Sequence, residues 1–143
     1  MDDFETLKKL AKMETAEDIK EFEVLAWKLA KTGKTDVLNQ LISLFDDNHP
    51  YQEVMFGLLH IIETYKDEEY VNSVLSNIKI GLNKYPEWAC RIINRILNED
   101  KCKKIFHNNM HLADRESLLK LFDLIDTEYP DHHKLLVDFK KEL

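Results

Sequence analysis

The sequence predicts an all-α protein made of stacked antiparallel helix pairs, a HEAT-like α-α repeat with an N-terminal capping helix. Two observations predict it. One apolar pattern occurs twice, first as Val54, Met55, Leu58, Leu59 and Ile62, then 34 positions later as Trp88, Ala89, Ile92, Ile93 and Ile96. Each set has the i, i+1, i+4, i+5, i+8 spacing of one helix face, and a period of this length marks helix pairs whose neighbours share a core. The chain of 143 residues also holds only three Gly and three Pro, too few for many tight hairpins. No segment reads as a confident strand. A compact irregular bundle of the same helices is the rival packing.

Nine helices follow in order. The first, about 2–13, places Phe4, Leu7, Leu10 and Ala11 on one side. Thr15 suits the N-cap of the second, 16–32, with Asp18 in its first turn and Gly33 closing it. Its stripe runs Ile19, Phe22, Ala26, Leu29, Ala30; Val24 and Trp27 stand off that stripe and are expected to pack under the first helix. Thr35 caps a third helix with Val37, Leu38, Leu41, Ile42 and Phe45 inward. The fourth, 50–65, and the sixth, 86–98, each open on a proline, which the first turn accepts. Between them Asp67 caps a fifth helix carrying Tyr70, Val71, Val74, Leu75 and Ile78 and ending near Gly81. A short seventh spans about 100–108. Asp114 caps the eighth, with Leu118, Leu119, Phe122 and Ile125 inward, and Pro130 or Asp131 opens the ninth, with Leu135, Leu136 and Phe139 inward. The links are short and none is rich in Ser, Gly or Pro, so residues 1–143 are expected to form a single domain.

Composition narrows the function. The acidic start from Met1 has no apolar run behind it, and no stretch approaches the roughly 20 apolar residues of a membrane span. Two cysteines, Cys90 and Cys102, are too few for a secreted disulfide framework, so a cytoplasmic location with reduced thiols is expected. Residues 1–72 hold 8 Lys/Arg against 16 Asp/Glu, and residues 73–143 hold 12 against 11. An acidic chain is poorly suited to wrapping nucleic acid directly and suits a basic protein partner.

No catalytic signature is present, neither a nucleophile elbow nor a Walker or Rossmann glycine pattern, and no enzyme activity or cofactor is expected. The histidines do not assemble a metal site. His60 and Glu63 form His-x-x-Glu, the reverse of the inward di-iron motif. His107 and His111 are separated by Asn108 and Asn109, which are expected to end the helix, and no further ligand has zinc spacing.

The polar faces are more informative. On the fourth helix Glu53, Phe56, His60 and Glu63 fall opposite the stripe, with Phe56 as either a second packing contact or an exposed anchor. Gly57 beside it permits close approach of another backbone. One repeat later Glu87, Arg91, Asn94 and Asn98 occupy the matching face. Two such rows can form a polar, hydrogen-bonding surface for a protein partner.

The segments Glu53-Val-Met-Phe-Gly-Leu-Leu-His-Ile-Ile-Glu63 and Glu87-Trp-Ala-Cys-Arg-Ile-Ile-Asn-Arg-Ile-Leu-Asn98 resemble the two strongest blocks of the immunity protein 30 family, all-α immunity proteins of bacterial polymorphic toxin systems. The match runs from about residue 46 to 100. The resemblance implies a protein that binds the toxic C-terminal domain of a cognate toxin in the cytoplasm and blocks it by stoichiometric occlusion. Matching positions that can face the toxin are Glu53, Phe56, His60, Glu63, Arg91, Asn94 and Asn98, chosen by helical geometry. Acidic charge fits a basic toxin such as a nuclease, where carboxylates imitate substrate phosphates. A helical scaffold or adaptor for another cytosolic protein is the alternative.

Overall fold

The computed structural model describes residues 2–143. Among them are ten α-helices, two 3₁₀ turns and no strand. The helices are α1 (Asp3–Leu10), α2 (Ala16–Ala30), α3 (Thr35–Ile42), α4 (Gln52–Ile62), α5 (Asp67–Ser76), α6 (Ile78–Lys84), α7 (Pro86–Leu97), α8 (Asp100–Asn109), α9 (Arg115–Glu128) and α10 (His133–Lys140). The 3₁₀ turns are Met110–Leu112 and Pro130–His132. The chain forms two compact units, one ending at Tyr70 and one spanning Val71–Leu143.

In the first unit α2 packs against α1, α3 and α4, and α3 packs against α4. Thr15 caps α2 as its sequence suggests: the hydroxyl accepts from Asp18 N–H while the Asp18 carboxylate accepts from Thr15 N–H, a reciprocal capping box. Gly33 closes the helix at φ +68°, a conformation that favours glycine. α4 buries Val54, Met55, Leu58, Leu59, Ile61 and Ile62, which include the whole predicted stripe. α1 buries only Leu7, in keeping with a capping helix.

In the second unit α7 packs against α6, α8 and α9, and α10 packs on α9. α7 is apolar over much of its circumference, burying Trp88, Ala89, Cys90, Ile92, Ile93, Ile96 and Leu97. Helices α8, α9 and α10 meet at Phe106, Phe122 and Phe139, whose ring centroids lie 6.2–6.3 Å apart. Asp114 caps α9, accepting from both the hydroxyl and the N–H of Ser117, and these bonds hold its carboxyl below the usual carboxylate range.

Several local expectations are corrected. The predicted fifth helix is two helices: Asn77 lies between them at ψ 12°, its N–H shared between the Ser73 and Val74 carbonyls while its side chain also donates to the Ser73 carbonyl at 2.7 Å. Pro50 does not open α4. The buried His49 ring bonds the Ala11 carbonyl through Nε2 (2.9 Å) and accepts the Tyr51 N–H on Nδ1 (3.0 Å), which holds the chain non-helical until Gln52. Thr35 is the first residue of α3 rather than its cap, a place taken by Lys34 without a side-chain bond. Val24 and Trp27 do not pack under α1; they are 62% and 41% exposed. Gly57 has nothing within 4 Å of where a Cβ would stand, so no backbone approaches it. The close approach is at Gly81, where a Cβ would lie 3.1 Å from the Tyr85 ring and 3.3 Å from Ala89 Cβ.

The two helical glycines should therefore respond in opposite directions. Gly57→Ala fills open space in a helix interior and is expected to raise unfolding free energy by about 0.5–1 kcal/mol. Gly81→Ala should lower it, because the Tyr85 ring and Ala89 must give way. Thr15→Ala, which removes one half of the capping box, should cost about 1 kcal/mol. Urea denaturation of the three variants checks all three signs.

Candidate functional site

The outer face of α4 carries the first four candidate residues. Glu53 sits in its first turn, where a carboxylate complements the positive end of the helix. Phe56 and His60 follow one turn apart, and Glu63 is the C-cap, its N–H bonded to the Leu59 carbonyl at 3.0 Å. Glu53, Phe56 and His60 are exposed and Glu63 is half-buried. Phe56, 42% exposed among these polar groups, offers a partner apolar area that water covers poorly. The structure thus gathers all four residues along one face of one helix.

The other three candidates lie on α7 in the second unit. The Arg91 guanidinium lies over the ring of the buried Trp88, 4.5 Å from its centroid. Asn94 is half-buried, and its Oδ1 accepts the Nε2 proton of His132 at 2.8 Å. Asn98, exposed at the C-cap, points its amide at the same oxygen at 3.4 Å. Part of this polar row therefore ties α7 to the turn before α10. Arg91 also borders a groove of about 460 Å³ lined with Glu87 and Cys90 from α7 and with Leu124, Glu128 and Tyr129 from α9 and its C-cap. Sequence reasoning reached the α7 side of this groove and missed the α9 side. It also missed His132, 38 residues from Asn94, because only the tertiary fold joins them.

Two further histidines have structural partners too. His107 stacks on the Phe139 ring at 4.8 Å and bonds the Glu142 carboxylate, and His133 bonds Asp126 at 2.8 Å. Cys90 and Cys102 are buried and are not joined in a disulfide.

The comparison with known families decides the affiliation. Residues 9–106 match the model of Immunity protein 30. The chain belongs to the Immunity protein 30 family. The match extends toward the N-terminus from the segment that the sequence motifs indicated, taking in α2 and α3, and it contains all seven candidate residues. No curated protein and no solved structure matches. Membership in an immunity protein family supports an immunity role with a cognate toxin as partner, and a protein that acts by binding rather than by catalysis. No helix among the described residues is long and apolar enough to cross a membrane.

One contact of this Immunity protein 30 member titrates. Burial lowers the His132 pKa below the ordinary imidazole value, and Lys103 lowers it further against the opposing pull of Asp131. The unfolded chain therefore takes up this proton first as pH falls, and the folded state loses stability through and below about pH 6.5. His132→Gln keeps a donor for Asn94 and removes the titration. The stability of the native protein relative to this variant should fall between pH 7.5 and 5.5, measured by urea denaturation at both values.

Proposed function

We propose that this chain neutralises a cognate toxin domain by stoichiometric occlusion, in the cytoplasm of a bacterium carrying a polymorphic toxin system. Residues 1–143 act as one immunity domain, without catalysis, cofactor or metal, and without direct contact to nucleic acid or membrane. The observation that carries this reading is the family match over 9–106. Toxin contact is assigned to Glu53, Phe56, His60 and Glu63 on α4 and to Arg91, Asn94 and Asn98 on α7. Phe56 supports the assignment on α4, since a half-exposed aromatic ringed by polar groups is the usual composition of a binding hot spot. On α7, Arg91 held against Trp88 has little side-chain freedom left to lose on binding.

The partner's chemistry follows from charge. With 16 acidic against 8 basic residues in positions 1–72, the protein suits a basic toxin, and a nuclease is the basic enzyme whose phosphate-binding surface carboxylates would occupy. The decisive experiment combines co-expression with the toxin domain encoded beside this gene and a capture assay of the purified pair. Protection of the host and a 1:1 complex are expected. Glu53→Lys with Glu63→Lys should weaken capture at least about tenfold, and raised salt should weaken it in the native protein. Unchanged capture by that variant would move the contact off α4; the absence of both protection and capture would remove the immunity reading.

A further inference from the structure

The exposed face of α2 has a composition that neither packing nor the toxin contact above uses. Helix α2 turns Phe22, Ala26 and Ala30 inward, while Val24 and Trp27 stand at the centre of its outer face, 62% and 41% exposed. A part-exposed tryptophan beside an exposed valine is the composition of a protein contact. Around them the charge is divided along the helix: Glu17, Glu21 and Glu23 precede the pair, and Lys28 and Lys31 follow it, with Lys20 the single exception. Among the described residues none of these six charged side chains is in an ion pair. Complementing the helix dipole accounts for acid in the first turn and Lys28 in the last, but it calls for no tryptophan.

The geometry points to α2 pairing antiparallel with α2 of a second copy of this chain, with Val24 on the two-fold axis. At about 100° per residue, Lys20 and Trp27 lie about 40° and 60° to one side of Val24, and Lys28 and Glu21 about 40° and 60° to the other. A two-fold axis crossing the helix reverses direction along it and keeps each side facing its own side. Trp27 then meets Lys20 of the second copy, whose stem covers the indole and whose ammonium lies over its face. Lys28 meets Glu21. Lys31 and Glu17, both about 10 Å along the helix from Val24 and close to the midline, meet each other. Every contact occurs twice, Val24 packs on its own copy, and Lys20, the one charge that breaks the gradient, is the one that falls on the tryptophan.

One 15-residue helix against another is a small contact, so the association is weak, in the micromolar range or above. The test is sedimentation equilibrium of the full chain up to about 0.5 mM, a range that reads dissociation constants of this class. The weight-average mass is expected to rise with concentration from 17.0 kDa toward twice that value. Two charge-reversed variants, Lys28→Glu/Lys31→Glu and Glu17→Lys/Glu21→Lys, should each stay monomeric alone. Mixed, they should form a heterodimer, because every reversed charge then meets an opposite one. Recovery on mixing also shows that both variants are folded. A mass fixed at the monomer value for the native chain overturns the proposal, as does failure of the mixed variants to associate when the native chain does. A monomer whose toxin capture is lost on Trp27→Ala would instead give this face to the toxin.

Discussion

Burial of the apolar stripes of α4 and α7 is the interaction on which the rest of each unit depends. Helices of seven to fifteen residues are marginal in water and draw their stability from packing. α4 places six side chains out of water and α7 seven, each helix serving as a surface on which its neighbours settle. At about 1.5–3 kcal/mol for each large apolar side chain fully buried, these two stripes dominate their units. The helices around them contribute less: α1 buries Leu7 alone, and α8 buries Cys102 and Phe106. Caps and ring contacts add to this packing: Thr15 on α2, Asp114 on α9, and the Phe106–Phe122–Phe139 cluster where α8, α9 and α10 meet.

That division explains what was legible in the sequence. Both stripes and the capping residues Thr15 and Asp114 are local patterns, written within one or two turns, and all of them are found. What failed was set by tertiary partners or by competition at short range. The start of α4 is decided by a histidine ring reaching a carbonyl 38 residues away at Ala11. The break at Asn77, where one N–H is shared between the Ser73 and Val74 carbonyls, falls in a stretch whose apolar spacing runs on unbroken. The glycines exchanged roles: close packing belongs to Gly81, because Tyr85 and Ala89 cover it, and Gly57 faces open space.

The candidate site divides the same way. Helical spacing correctly puts Glu53, Phe56, His60 and Glu63 outside the core of α4, since an apolar stripe fixes its opposite face. On α7 the same reasoning finds polar positions but not their uses. Asn94 spends its carbonyl oxygen on His132, and Arg91 rests on Trp88. A polar residue facing outward from its own helix is available to neighbours of the same chain as well as to a partner, and sequence spacing does not tell the two apart.

The two tryptophans of the chain sit in different surroundings, Trp27 part-exposed on α2 and Trp88 sealed beneath a guanidinium. The molecule consequently carries two separate fluorescent reporters with no label added. Emission from Trp27, red-shifted by solvent, responds to whatever covers the first unit's α2, while the bluer emission of Trp88 responds to loosening of the second unit's core. With either indole replaced by phenylalanine, light from the other follows one event at a time, so surface association and unfolding can be watched separately in the same chain.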